Sequence, residues 1–296
     1  MKLRTALKLG RVSNLPTVWT NTLAGSVLAG GLGPASSAGF DAQFAVMLLA
    51  FSLFYTGGMF LNDAFDAGID ARERPERPIP SGQVSLHEVA IYGAVMMGLG
   101  VALLTWVGLV MGPRTGLWPA LGGLALAASI TFYNWHHKGN LLSPLVMGLC
   151  RVLVYVGAAL CYSTQPDAAL WIGAALLLSY LIGLTYVAKQ ENLAEVKNLW
   201  PLLFLALPAA YGLWLSMADL AVAPLWLLFC AWALVALWYL RRRQRGDIPR
   251  AVVSLIAGIA LLDAVLIAGS GSLALAMLAV AGFALTLFFQ RYISGT

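Results

Sequence analysis

Four oxygen-bearing side chains fall on one strip of a helix in the segment Asn62-Asp63-Ala-Phe-Asp66-Ala-Gly-Ile-Asp70. Asn62, Asp66 and Asp70 recur every four residues and Asp63 stands three before Asp66, so a continuous helix lines them on one face. Carboxylates stacked this way repel one another, and near a hydrocarbon boundary each costs several kcal/mol. A divalent cation would offset that cost. Hard oxygen ligands suit Mg²⁺, which commonly takes one or two carboxylates together with phosphate oxygens and water. The competing reading is a solvated run of charge in which the acids pair with Arg72, Arg74 and Arg77 just downstream. A second acidic pair, Glu191 and Glu195, is again four residues apart, with local pairing to Lys189 and Lys197 as its alternative. Two facing carboxylate pairs could hold two or three Mg²⁺ ions between them, and the ions a diphosphate.

The elements that must position these groups are membrane helices. Of 296 residues, 60% are hydrophobic and 10% charged, and the mean hydropathy is +0.81. A soluble fold of this size cannot place so much apolar side chain in one core, and disorder is excluded by the same numbers. Nucleic-acid binding is not expected from the net charge of +5. Apolar runs near 15–34, 43–62, 88–110, 116–134, 141–161, 168–188, 199–216, 220–240, 250–269 and 272–290 each suffice for a spanning helix of about 20 residues. Their hydrophobicity is continuous, which argues for helices rather than a β-barrel. One all-α membrane domain over residues 1–296 is the simplest organisation. Basic residues crowd the segment before the first run and alternate loops thereafter, while the opposite loops hold only Arg114. By the positive-inside rule both termini and both acidic clusters lie on the cytoplasmic face, with an even number of spans. Cys150, Cys161 and Cys230 sit in apolar stretches with no disulfide or metal-ligand spacing, and the basic N-terminus shows no signal-peptide cleavage pattern.

The Asn-Asp-x-x-Asp-x-x-x-Asp run, followed by Arg-Pro and Ser-Gly before the third span, resembles the first signature of the UbiA-type intramembrane prenyltransferases. Glu191-x-x-x-Glu195 after Tyr186 resembles their second signature, with glutamates in place of aspartates, and Lys138 stands where the family places a diphosphate-holding base. The likeness runs from about residue 10 to 270, and one helix follows the family's usual nine. It implies a nine-helix core plus one around a central cavity, and Mg²⁺-dependent transfer of a polyprenyl group from an allylic diphosphate to a lipophilic or aromatic acceptor. A 4-hydroxybenzoate-type quinone precursor is the favoured acceptor. On the same likeness Asp66, Asp70, Glu191 and Glu195 bind Mg²⁺ as the catalytic acids, with Asn62 and Asp63 at the same site. Lys138, Arg72, Arg77 and Lys189 contact phosphate.

A carbocation-like intermediate needs a dry pocket, and aromatic faces can stabilise its charge. Tyr133, Tyr155, Tyr186 and Phe65 are candidates. Arg151 lies about ten residues into its span, roughly 15 Å deep. It could bind a carboxylate or hydroxyl of the acceptor, or pair with Asp70, Glu191 or Asp263. Arg11, Asn14 and Asn21 are further acceptor-pocket candidates. His136 and His137 read as interfacial residues. Ser85-x-x-Glu88 reads as a capping box, which assigns Glu88 to structure. A secondary transporter using the acids as cation sites is the alternative, but such sites lie near the bilayer midplane rather than at one face. The signature of phosphatidyltransferase-type enzymes is absent. The expected setting is a bacterial-type inner membrane, with the lipid bilayer, the prenyl diphosphate and its acceptor as partners and no obligate protein partner.

Overall fold

The computed structural model describes residues 1–33, 42–137, 140, 142–189 and 202–293, with nothing said of the side chain of Lys189. Among the described residues the chain is helical throughout: α1 (Leu3–Leu9), α2 (Leu15–Leu28), α3 (Ala42–Glu73), α4 (Leu86–Val110), α5 (Trp118–His136), α6 (Ser143–Leu160), α7 (Ala168–Lys189), α8 (Leu203–Ala218), α9 (Ala223–Arg242), α10 (Asp247–Gly269) and α11 (Leu273–Gln290). Each of the ten apolar runs in the sequence coincides with one of α2–α11. Seven of these, α3, α4, α6, α7, α9, α10 and α11, are long and apolar enough to cross a membrane, and α8 is a shorter apolar helix. The outer faces expose large apolar side chains such as Trp106, Trp171, Trp214 and Trp238, a surface that lipid rather than water would cover.

Local chemistry sets the helix ends. A proline in the first turn opens α2, α5, α6 and α9, where its missing N–H costs nothing. Ser85 caps α4, its hydroxyl accepting from the Glu88 N–H at 3.1 Å, as the sequence predicts. The 32 residues of α3 make a rod of about 48 Å, longer than the ~30 Å of hydrocarbon. Its apolar first part therefore carries the acidic strip beyond the apolar slab on one rigid element. Pro75 follows its end, and the turn through Pro78 and Pro80 doubles back. The Arg77 carbonyl accepts from the Ser81 N–H (3.0 Å) and hydroxyl (2.7 Å), and Gly82 takes a left-handed φ of 73°.

Two helices form the centre. In α2 every residue but the half-buried Trp19 is buried, Thr17, Thr20, Asn21, Thr22 and Ser26 included, and α10 is buried over most of its length. Helices α3, α6, α7, α8, α9 and α11 pack against one or both of this pair, and α4 and α5 pack outside α3 and α6. Close approach depends on missing side chains. A Cβ on Gly57 of α3 would stand 2.8 Å from the Gly93 carbonyl oxygen of α4, and one on Gly25 of α2 would stand 2.5 Å from the Tyr155 carbonyl oxygen of α6. The second contact matters most for the interior, because Asn21 and Arg151 lie one turn away on the same two helices.

Gly25→Ala should therefore force α2 from α6 and lower the melting temperature in detergent, at a cost of about 1–3 kcal/mol. Gly98→Ala in α4 meets nothing within 4 Å and should be neutral or slightly stabilising. Equal melting curves for the two variants would contradict this packing.

Candidate functional site

The continuous helix places Asn62, Asp63, Asp66 and Asp70 together on a buried face. The proline turn swings Arg77 over this strip, where Nη1 lies 3.1 Å from both Asp63 Oδ1 and Asp70 Oδ2. Arg11 approaches from the opposite side, with Nη2 3.2 Å from Asn62 Oδ1 and 3.5 Å from Asp63 Oδ1. Its backbone is left-handed, with φ at 42°, a conformation that costs a non-glycine residue about 1 kcal/mol or more. The 3-10 turn Val12–Asn14 that follows holds it there, and the Arg11 carbonyl accepts from Tyr55 Oη at 3.3 Å. His137 Nε2 stands 3.7 Å from Asp66 Oδ2. Three carboxylates thus face two guanidinium groups.

Asn134 of α5 fixes the inner edge. Its Nδ2 donates to the Gly58 carbonyl at 3.0 Å, and its Oδ1 accepts from Asn62 Nδ2 at 3.3 Å, which turns the Asn62 oxygen toward Arg11. Inside this edge lies a cavity of about 140 Å³, lined near the acids by Arg11, Asn14, Tyr133, Asn134 and Met59. Further in, its walls are Phe51, Phe54, Tyr55, Leu126, Ile130, Met147, Val154, Leu181, Leu184 and Ile259, with Cys150 and Arg151 between α5 and α7. The lining is mostly apolar and aromatic, as a water-sensitive intermediate requires. Asn14 is tied to α11, whose Gln290 Nε2 donates to Asn14 Oδ1 at 3.0 Å and to the Val253 carbonyl at 3.2 Å.

A second polar centre lies at the far wall. Asp263 of α10 and Asn21 of α2 are fully buried. Asn21 Nδ2 donates to both Asp263 oxygens, at 3.2 and 2.9 Å, and Tyr155 Oη donates to Asp263 Oδ1. The other end of the Asn21 amide accepts from Arg151 Nη1 at 3.0 Å, and the guanidinium lies 5.4 Å from the centre of the Tyr55 ring.

The sequence-derived candidates distribute as follows. Asn62, Asp63, Asp66 and Asp70 come together, and Arg77 joins them as a partner of the acids. Arg72 is exposed and makes no polar contact with the strip. Asn14, Tyr133 and Arg151 line the cavity, whereas Tyr155 is buried behind it on Asp263 and the half-buried Tyr186 is not among the lining residues. Phe65 is exposed, and His137 approaches Asp66 rather than facing outward alone. Arg151 reaches Asp263 through Asn21 and does not bond to Asp70. Lys138, Glu191 and Glu195 lie outside the described residues, as does the Lys189 side chain. Tyr55, Asn134 and Gln290 were not singled out in the sequence. Their only signal is a polar group within an otherwise apolar run.

The donor chemistry fits a hard divalent ion. Asn62, Asp63, Asp66 and Asp70 supply oxygen donors only, and the carboxylates outnumber their guanidinium partners. Among the described residues no three His, Cys, Asp or Glu side chains are grouped closely enough to hold a metal by themselves. The strip on α3 is accordingly one side of a set that needs further oxygens.

Comparisons with known proteins bear on the family and the fold. The model of the UbiA prenyltransferase family matches residues 18–255. The chain is 28% identical over 219 residues to the digeranylgeranylglyceryl phosphate synthase of Methanopyrus kandleri, covering 71% of this chain and 70% of that protein. It is 35% identical over 172 residues to the protein of the same name from Ignicoccus hospitalis, covering 58% of this chain and half of the other. A solved digeranylgeranylglyceryl phosphate synthase superposes with a TM-score of 0.62 at 16% identity, covering 90% of this chain and 98% of the other. A UbiA homologue from Archaeoglobus fulgidus bound to GPP and Mg²⁺ superposes with a TM-score of 0.54 at 15% identity, covering 97% and 99%. At these identities the superpositions speak to the fold. The quinone-precursor acceptor favoured from the sequence finds no support among these relatives, whose names point to a glyceryl phosphate.

Arg77→Ala should leave Asp63 and Asp70 without their shared cation and lower stability by about 1–3 kcal/mol. Added Mg²⁺ should recover part of the lost melting temperature, since a divalent ion takes over the same charge. A variant as stable as wild type in EDTA would contradict the arrangement.

Proposed function

The chain belongs to the UbiA prenyltransferase family, and we propose that it transfers a polyprenyl group from an allylic diphosphate to a lipophilic acceptor inside the membrane. The observation that carries this reading is the juxtaposition of a buried oxygen-donor strip on α3 with an apolar, aromatic-lined cavity directly behind it. The names of the relatives support an acceptor of the glyceryl phosphate class. The distribution of basic loop residues supports an active-site mouth and both termini on the cytoplasmic side.

Asp66, Asp70, Glu191 and Glu195 are the residues assigned to Mg²⁺, with Asn62 and Asp63 completing the set. Bound Mg²⁺ would neutralise charge on the departing diphosphate. Arg11 is placed to act alongside. Its guanidinium touches Asn62 and Asp63 and also lines the cavity, so it spans the boundary between the diphosphate and the prenyl chain. Lys138, Lys189, Arg72 and Arg77 are the other cations assigned to phosphate, and Arg77 must exchange a carboxylate for a phosphate oxygen to reach it. In the reaction the bond from the allylic carbon to the bridging oxygen breaks and its electron pair leaves with diphosphate. A nucleophilic atom of the acceptor donates a pair to that carbon and gives up its proton to diphosphate or to water at the mouth. Tyr133 and the Phe51 and Phe54 rings line the wall beside the developing cation, and the apolar lining keeps water from trapping it.

Asp66→Ala, Asp70→Ala and Glu191→Ala should each abolish transfer of a labelled prenyl chain while leaving the yield of folded protein in detergent near that of wild type. EDTA should stop the wild-type reaction and Mg²⁺ restore it. Turnover near the wild-type rate in any of the three variants would refute the assignment.

A further inference from the structure

Among the described residues, every charged side chain that lines the cavity is an arginine. Arg11 and Arg151 face it, and no described carboxylate does. Arg11 is matched by Asp63 at the mouth. Arg151 is different. Its counter-charge, Asp263, is held one amide away, because Asn21 stands between them and uses its N–H groups on the acid and its oxygen on the guanidinium. Tyr155 supplies a further donor to the same acid. Asp263 is thereby satisfied without a direct ion pair. Only one of the five guanidinium N–H groups has a described acceptor, and the face of the Tyr55 ring is the other contact.

A fold that needed Arg151 only as a structural cation would gain more from direct bidentate contact with Asp263. This fold instead spends an asparagine, a tyrosine and a buried acid on holding the guanidinium at the wall with its donors open to an apolar space. The depth is also informative. Tyr55, beneath Arg151, precedes Asp63 by eight residues on α3, which is about 12 Å along the helix. Arg11 occupies the interval, since it touches Asp63 with its side chain and Tyr55 with its carbonyl. A diphosphate held at the acidic strip is served by Arg11 and Arg77, and Arg151 lies too far inside to share it.

We propose that Arg151, aimed by the Asn21–Asp263–Tyr155 relay, is the acceptor-reading residue and selects an acceptor that carries an anionic oxyacid group, carboxylate or phosphate, at the inner end of the cavity. This rests on the prenyltransferase reading and specifies its second substrate. The guanidinium fork accepts two oxygens of such a group, and the surrounding apolar wall strengthens that contact. A neutral acceptor of the same shape would leave the charge unmatched in the cavity, so the site rejects it. Asn21, Asp263 and Tyr155 act through Arg151 as positioning residues.

The test uses the full-length protein in detergent and two matched pairs of probes, 4-hydroxybenzoate with its methyl ester, and a glyceryl phosphate ether lipid with its phosphate-free glycerol ether. Equilibrium binding is measured for wild type and Arg151→Gln, and transfer is followed in parallel. Wild type should prefer the anionic member of at least one pair, and the pair that shows it identifies the source of the anion. R151Q should weaken that anionic probe by about 10- to 100-fold, the loss expected for charge-assisted hydrogen bonds. Binding of the neutral member should hold or tighten, since the unmatched charge is gone, and that of a non-hydrolysable prenyl diphosphate should be unchanged. Arg151→Lys keeps the charge without the fork and should lose a smaller part, which preserves the test if R151Q fails to fold. Tyr155→Phe should raise KM for the anionic acceptor with little change in kcat, a split that loss of packing alone would not give. Anion binding that survives both Arg151 variants, or a loss shared equally by neutral probes, overturns the proposal. Arg151-dependent anion binding without transfer to any acceptor would overturn the prenyltransferase reading and leave the anion site standing. Wild-type transfer that ignores acceptor charge, or a preference for the anionic acceptor that persists undiminished in R151Q, would do the reverse.

Discussion

Fixed charge inside an apolar bundle has to be matched, and that requirement shapes both polar centres of this protein. At the mouth, Asp63 and Asp70 are tolerated on one helix face because Arg77 is folded back between them and Arg11 closes the other side. At the inner wall, Asp263 is tolerated in a largely buried helix because Asn21 and Tyr155 donate to it and Arg151 supplies opposite charge through the amide. The architecture serves these two matches. The length of α3 carries the strip to the boundary, the proline turn returns Arg77, and the glycine contact between α2 and α6 lets Asn21 meet Arg151.

The part of this that is periodic or local was legible in the sequence. The ten apolar runs, the α4 cap and the acidic strip depend on spacing within one element, and helical geometry converts spacing directly into position. Partnerships between elements were not legible. Arg77 reads either as a phosphate ligand or, with Arg72 and Arg74, as a pairing partner of the acids, and nothing in its own segment says that the turn returns it alone to Asp63 and Asp70. Arg151 invites a direct pair with Asp263, yet the intervening Asn21 comes from a helix 242 residues away from the acid. The central place of α2 did leave a trace. Its Thr17, Thr20, Asn21, Thr22 and Ser26 are poor lipid-facing residues, and all of them are buried.

The last helix, α11, is joined to the site rather than appended to it. Through Gln290, α11 holds the oxygen of Asn14, which lines the cavity two turns of backbone away from Asn21 on the same N-terminal segment. The fold is shared with solved relatives at 14–17% identity, so the bundle itself tolerates wide substitution. What a bundle of this kind transfers, and to what, is decided by the few polar groups that face its cavity.

The central claim is that the acidic strip of α3 holds a divalent ion together with a diphosphate at the mouth of the cavity. Replacing Mg²⁺ by Mn²⁺ and recording electron–nuclear double resonance with a non-hydrolysable prenyl diphosphate tests it directly. The account predicts a ³¹P coupling to bound Mn²⁺ that appears only when the diphosphate is present and disappears in Asp66→Asn and Asp70→Asn. Mn²⁺ that binds with no ³¹P coupling, or a coupling that survives loss of both aspartates, would contradict it.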